Sequence, residues 1–193
     1  MFAFDLLIAD THFQDAGLFS FLNPNKLDNV RKAAKKWEGK IRSVNLLGDI
    51  FDKPSPSHTL VAEVAEAISA FGDVEINIVA GNHDPIGRKN HALESFVSGV
   101  RHGGSNKVRL ITGAEPVFDH EKKYVLCAWT KDELPKAPSP DWVFLGHVQV
   151  ADWCFGKGIS LEALQGLGYK MILTGDYHHS LFGKGIISVG TFG

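Results

Sequence analysis

The chain has 193 residues, 44% of them hydrophobic and 22% charged, with a formal net charge of −2. That composition is ordinary for a soluble globular protein with a sizeable core, and it supplies no global basic field of the kind that holds nucleic acid non-specifically. Its two cysteines, Cys127 and Cys154, form neither a disulfide framework nor a C-x-x-C metal clip, and no apolar run reaches the roughly 18 residues of a membrane span. The N-terminus lacks the basic region of a secretory signal, and Asp5 interrupts its apolar run. A soluble cytoplasmic protein with reduced thiols is expected, without linker-like breaks or repeats, and so a single α/β domain over residues 1–193.

In chain order, residues 2–9 read as a buried strand ending at Asp10-Thr11-His12. Residues 27–38 carry Leu27, Val30, Ala33, Ala34 and Trp37 at helical spacing, with Lys and Arg on the other face. Residues 43–47 form a short strand that closes on Gly48-Asp49-Ile50-Phe51-Asp52. After the turn at Pro54 and Pro56, Ser57 can cap a helix through Phe71, with Leu60, Val61, Val64, Ala65 and Ile68 in one stripe. Residues 74–80 make the next strand and end on Gly81-Asn82-His83-Asp84, so that strand, helix and strand form a βαβ crossover. A short helix is expected over 90–97, and strands over 107–112, 117–118 and 124–128. Pro135, Pro138 and Pro140 make 131–141 a loop. The last strands are 142–145 before Gly146-His147, 170–174 before Gly175-Asp176-Tyr177-His178-His179, and 186–189.

Singly, such motifs arise by chance; five in order, each closing an apolar strand-like run, do not. In an open α/β sheet, ligands gather beyond the carboxyl ends of the strands, where residues from distant parts of a sequence can share one site. Residues two apart in an extended segment point the same way, so Asp10 pairs with His12 and Asp176 with His178, while His179 turns away. Asp, His and Asn are oxygen and imidazole donors suited to Mn, Fe or Zn. They supply eight coordinating positions if Asp49 bridges two ions. Two such metals, roughly 3.5–4 Å apart, can bind a phosphoryl oxygen and activate water near neutral pH. His83, between Asn82 and Asp84, is the candidate to protonate a leaving oxygen, with the Asp84 carboxylate orienting its imidazole.

As a set, these motifs resemble the signature of the calcineurin-like metallophosphoesterases: D-x-H, G-D-x-x-D, G-N-H-[DE], G-H and G-H-x-H. The run from Gly48 to Ser57 and the run Gly81-Asn82-His83-Asp84-Pro85 are most similar to the DNA-repair nuclease branch of that superfamily, the Mre11 and SbcD type. Protein Ser/Thr phosphatases typically carry Arg-Gly and Glu where this chain has Lys53-Pro54 and Asp84. The resemblance implies a two-sheet β-sandwich flanked by helices. It implies one metal on Asp10, His12, Asp49 and His178, and a second on Asp49, Asn82, His147 and Asp176. It also makes His83 the general acid, backed by Asp84. Two divalent ions follow, with Mn first and Fe, Mg or Zn as alternatives.

The expected activity is phosphodiester hydrolysis as a DNA nuclease, exonucleolytic with endonuclease action on single strands. The alternatives are a phosphodiesterase for a small molecule or nucleotide, and a non-catalytic metal-binding module, against which the intact ligand set speaks. By resemblance alone, an SMC-like ATPase is an implied partner. Two departures stand out. Asp176 replaces the usual His, which hardens the second site. The chain also stops shortly after its last strand, where nuclease relatives continue into a capping domain. Single strands or DNA ends are therefore expected over duplex, unless a homodimer builds a duplex surface.

The remaining polar residues have plainer readings. Asp52 is a turn carboxylate, and His179 is a pocket-edge residue with a role on substrate phosphate as its alternative. His58, His91, His102 and His120 are solvent-exposed. Lys35-Lys36 and Lys122-Lys123 are solvated charge, and Trp153 and Phe155 are core rather than a base-stacking platform.

Overall fold

Three strand–helix–strand crossovers build the first half of the molecule in the computed structural model, which describes residues 3–15, 20–84, 92–113, 115–130, 133–154 and 156–190. The elements are β1 (Phe4–Ile8), α1 (Asn23–Lys36), β2 (Ile41–Leu47), α2 (His58–Ser69), β3 (Glu75–Val79), α3 (Ala92–His102) and β4 (Val108–Ile111). The four strands form a parallel sheet in the order β1-β2-β3-β4, with Leu7 beside Asn45, Leu46 beside Ile78 and Ile78 beside Leu110. Parallel strands are buried on both faces, and β2 and β3 are buried over most of their length. Their buried polar residues are satisfied within the sheet, the Asn77 amide donating to Asn45 Oδ1 at 2.9 Å and the Asn45 amide to Ser43 Oγ at 3.2 Å. Ser57 caps α2 by accepting the Leu60 N–H at 3.2 Å, and Leu60, Val61, Val64, Ala65 and Ile68 are buried as the periodicity predicts.

The second half forms a mixed six-stranded sheet from β5 (Val117–Asp119), β6 (Tyr124–Cys127), β7 (Val143–His147), β8 (Met171–Gly175), β9 (Leu181–Gly183) and β10 (Ile186–Ser188). Its order is β5-β6-β7-β8-β10-β9; β6, β7, β8 and β10 run parallel, and β5 and β9 are antiparallel edges. Alternation along the strands splits the core. Leu126, Ala128 and Leu145 join the core shared with the first sheet and α1 to α3. Val125, Cys127, Phe144 and Ile172 face a second cluster, with Trp142, Leu134 and Leu164 of the short helix α4 (Leu161–Gln165). The result is the expected α/β sandwich of two sheets flanked by helices. Phe96 and Phe144 are wholly buried, each stabilising the fold by about 1.5–3 kcal/mol.

Several boundaries differ from the sequence reading. α1 starts at Asn23, because Pro24 is pre-organised for a first helical turn. α3 runs on to His102. The 3₁₀ turn Ser20–Leu22, α4 and β9 were not anticipated; elements of three to five residues carry too few positions for a period. Lys122 is not solvated charge: its side chain is 9% exposed and pairs with Glu75 and Asp119. Lys35, Lys36, His58, His102 and His120 are exposed, and Trp153 packs against the outer core, as expected. His91 and Phe155 lie outside the described residues. Among the described residues no helix is long and apolar enough to cross a membrane.

Candidate metal centre

Beyond β1 the backbone leaves the extended region at once. Asp10 and His12 have φ of 50° and 42°, Asp49 has 51° and Asp176 has 82°. The left-handed region costs non-glycine residues about 1–3 kcal/mol each, and Asp and His are among those that visit it. Asp10 and His12 therefore reach one site through tight turns and not through strand alternation. Several bonds hold the turns. The Asp10, His12 and Phe13 N–H groups donate to the carbonyls of Gly48, Asp49 and Ile50 at 3.2, 2.9 and 2.9 Å, and the Thr11 hydroxyl to Ile50 O at 3.0 Å.

Lys26 completes this bracing and was missed in the sequence. Its buried ammonium donates to Thr11 O at 2.6 Å and His12 O at 3.4 Å. The signal was there: Lys26 lies on the buried face of α1 with Asn23, Leu27, Val30 and Ala34. Two glycines matter for space. A Cβ on Gly48 would stand 2.2 Å from His147 Nδ1, and one on Gly175 would stand 2.3 Å from Leu47 O. Either would break the bond that ties the sheets together, in which His147 Nδ1–H donates to Leu47 O at 2.9 Å.

That bond fixes the tautomer, since a carbonyl can only accept, and it turns His147 Nε2 inward. There Nε2 lies 2.9 Å from Asn82 Oδ1, 3.4 Å from Asp49 Oδ2 and 3.6 Å from Asp176 Oδ1. On the other side, His12 Nε2 is 3.2 Å from His178 Nε2 and 3.7 Å from Asp49 Oδ2. Asp49 thus stands between two groups, His12 with His178 and His147 with Asn82 and Asp176. Asp10 sits at their base, 3.9 Å from His147, with its Oδ1 accepting the Asp176 N–H at 2.9 Å. All seven expected ligand residues are brought together.

The electrostatics ask for cations. Burial pushes Asp10 up to about 7, with the neighbouring Asp49 and Asp176 carboxylates adding to it against the pull of His147. Burial also raises Asp176 and pulls His12 down to about 4. His147 goes the other way: burial opposes its charge, but Asp49, Asp10 and the Leu47 carbonyl outweigh burial and lift it to about 9. The donor set fits divalent ions. Asp10 Oδ2 is buried without a hydrogen-bond partner, two imidazoles present the same nitrogen to each other, and the Asp10-His12-His178 and Asp10-Asp49-His147 donor atoms lie within 4.8 Å of one another. Carboxylate and imidazole donors without thiolate suit a hard to borderline metal.

A pH dependence follows for the metal-free protein. A base whose pKa rises from 6.5 to about 9 on folding stabilises the fold fully below 6.5, and this is lost as pH rises through 9. His12, depressed to about 4, opposes this only near pH 6.5, where its unfolded imidazole is still partly charged, and is neutral in both states toward pH 9. The melting temperature in chelator should therefore fall between about pH 6.5 and 9, and saturating metal should reduce that slope. A flat metal-free profile across the window would contradict the His147 assignment.

Two other residues stand differently from expectation, and His179 stands at the pocket edge as expected. Asp84 does not back His83: its Oδ2 accepts the N–H groups of Gly81 at 3.0 Å and Ile50 at 3.4 Å, and it is 2% exposed. It braces the Gly81-Asn82 turn, with its side chain carried inward while His83 stays outside. Asp52 takes the place expected of Asp84. Its carbonyl accepts His83 Nδ1–H at 2.9 Å, and its carboxylate lies 3.7 Å from His12 Nδ1 and groups with His12 and His83. His179 is exposed at the rim, its ring 5.6 Å from Tyr177.

Asp176 also meets a half-buried thiol, Cys154 Sγ, at 3.9 Å. Asp176→Ala should empty the His147 side of the centre while the His12 side keeps its ion. The loss of affinity should exceed the roughly 10–100-fold of an outer-shell partner. Asp176→His should retain binding. Anomalous scattering reads both; full occupancy of two sites in the alanine variant would remove Asp176 from the centre.

No curated protein matches this sequence. Among solved structures, the chain is similar to TT1561 of Thermus thermophilus at 12% identity, with a TM-score of 0.62 over 100% of this chain and 91% of that one. It is also similar to AQ665, a protein of unknown function from Aquifex aeolicus, at 13% identity, with a TM-score of 0.46 over 94% of this chain and 82% of that one. At such identity the first likeness speaks for the fold alone. The match to the calcineurin-like phosphoesterases is of another order: it runs over residues 6–180 and takes in all five motifs. The chain belongs to the calcineurin-like phosphoesterase family.

Proposed function

We propose that this metal-dependent phosphoester hydrolase cuts phosphodiester bonds, with single-stranded or frayed DNA as its substrate, in the reducing cytoplasm that its two free thiols suit. The observation that carries the reading is the section through the site: a buried acidic floor of Asp10 and Asp49 under a rim of exposed Asn82, His83, His178 and His179. A phosphate on a flexible strand can reach such a floor from outside. The likeness of the Gly48–Ser57 and Gly81–Pro85 runs to the Mre11/SbcD branch supports the choice of DNA.

Asp10, His12, Asp49 and His178 would hold one ion, and Asp49, Asn82, His147 and Asp176 the other. When bound, such ions supply Lewis acidity toward phosphate and water. The protein's own work is orientation and proton transfer. Leu47 O holds His147 with Nε2 inward, and Asp84 fixes the turn that presents Asn82. Asp49 Oδ1 accepts the His83 N–H at 2.8 Å, so the central carboxylate also positions the acid. With Nδ1–H given to Asp52 O, His83 has only Nε2 to offer the leaving oxygen, and it stands exposed at the rim to do so. Exposed at the rim, His179 would meet a non-bridging oxygen of the bound phosphate in this reading.

Chelated protein should be inactive, and add-back of Mn, Mg, Ca and Zn in turn should restore activity with Mn best. With Mn, labelled single strands should be cut faster than blunt duplex, since a net charge of −2 gives little to clamp a stiff polyanion. Full activity in chelator would sink the mechanism. A chromogenic diester or nucleotide cut well beside DNA of any form would move the substrate to the small-molecule class.

A further inference from the structure

A cavity of about 360 Å³ opens beside the centre, at the carboxyl ends of β6 and β7, and the mechanism above does not use it. We propose that it is a nucleobase subsite, in which one base of the substrate stacks on Trp129 and is read by the Gln149 amide. The proposal deepens the phosphodiesterase reading and rests on it for the identity of the phosphate.

Four observations carry it. The first is location. His147 forms part of the cavity wall, and the Trp129 N–H donates to Ala80 O at 2.8 Å, two residues before Asn82. The cavity therefore abuts the His147-Asn82 side of the metal centre, where a neighbour of a bound phosphate would lie. The second is size. It falls near the lower end of the roughly 300–1,000 Å³ of small-molecule sites, suited to one heterocycle and closed to a duplex.

The third is chemistry. Among the described residues its walls hold no Lys, Arg, Asp or Glu. Trp129, Leu134, Val148 and Ile159 supply an aromatic face and aliphatic walls. The half-buried Gln149 side chain, which has no hydrogen-bond partner among the described residues, supplies a donor and an acceptor side by side. A planar, hydrogen-bonding, uncharged group answers all three features, and a nucleobase is that group on a phosphodiester.

The fourth is that the cavity is built. Ile159 N–H donates to Gln149 O, and Ala151 N–H to Ile159 O, both at 2.9 Å, which pins Gln149 to a two-strand bridge. Gly158 enters that bridge at φ 104°, and a Cβ there would stand 2.1 Å from Gln149 O. Only a bare Cα keeps the wall in place.

The test separates the base from the phosphate. Mn-loaded protein is given single-stranded oligonucleotides, the same length made with abasic sites, and thymidine 5′-(p-nitrophenyl phosphate). Intrinsic tryptophan fluorescence is titrated with plain nucleosides, which carry no phosphate. Stacking on an aromatic side chain is worth roughly tenfold in affinity. Wild type should therefore prefer base-bearing over abasic strands about tenfold in kcat/KM, and nucleosides should quench saturably. In Trp129→Ala and Gln149→Leu the base-to-abasic ratio should fall toward 1, and Trp129→Phe should lose the fluorescence response.

Diester cleavage with no base preference, and no saturable nucleoside quenching, overturns the subsite and leaves the phosphodiesterase reading standing. Quenching that depends on Trp129 without any diester cleavage keeps the subsite and overturns that reading. A base preference on the thymidine ester but not on the oligonucleotides keeps the subsite and assigns it to free nucleotides. A ratio that does not move in either variant places the base elsewhere and overturns the proposal.

Discussion

Asp49→Asn is expected to remove more activity than any other single substitution, beyond the roughly 10²–10⁴-fold of a general acid–base group, while leaving the fold in place. The shape survives: an Asn Oδ1 can still accept the His83 N–H that Asp49 Oδ1 takes at 2.8 Å. The charge does not. Asp49 Oδ2 lies 3.4 Å from His147 Nε2 and 3.7 Å from His12 Nε2, and so faces both halves of the centre. Burial opposes its ionisation, yet its contacts with His147, with the His83 N–H and with His12 hold its carboxyl below the usual range. Without that charge, His147 loses the main partner that lifts it to about 9, and neither half of the centre keeps its full donor set. Rate, metal content and the imidazole titration of the metal-free variant should all move together. A rate within about tenfold of wild type, with two ions bound, would remove Asp49 from the centre.

Much of this was legible because two short-range regularities happened to coincide. Apolar runs of strand length ended on glycine-led clusters of Asp, Asn and His, and parallel sheets gather such strand ends. The helical stripe from Leu60 to Ile68 and its Ser57 cap could be read for the same reason: period and cap chemistry are local. The seven residues that the family resemblance implies as ligands lie together, even though the geometric argument for their meeting was only partly right. Alternation along a strand does not bring Asp10 and His12 together; left-handed turns do, and nothing in a residue pattern announces a positive φ at Asp or His.

What stayed hidden depended on contacts between distant segments. The Asp84 carboxylate turns to Gly81 and Ile50, and Asp52 takes over the bond to His83, because the second and third motifs run against each other in space. Cys154, expected only as a reduced thiol, lies beside Asp176. Lys26 was the more readable miss. A lysine in register with Leu27, Val30 and Ala34 must find acceptors inside, and it found the carbonyls of the first motif. Lys122 offers the same lesson at the other end of the sandwich, where Glu75 and Asp119 hold it.

His83→Ala should lower turnover by roughly 10²–10⁴-fold while both ions remain bound. The two halves of that expectation come from separate observations. His83 contributes to the centre mainly through its backbone N–H on Asp49, which alanine keeps. Its imidazole is exposed, tethered at Nδ1 to Asp52 O and 5.1 Å from the His12 ring, so its removal takes no donor from the Asp10-His12-His178 or Asp10-Asp49-His147 groups. What goes is the proton for the leaving oxygen, so the penalty should depend on the substrate. A p-nitrophenolate leaves well unprotonated, and its diester should lose little; an alkoxide leaving from DNA needs the proton, and its rate should carry the whole loss. Comparing the two substrates in wild type and variant, with metal content measured alongside, isolates the acid from any general damage. Metal lost together with activity would make His83 a ligand, and equal losses on both leaving groups would make its role positional.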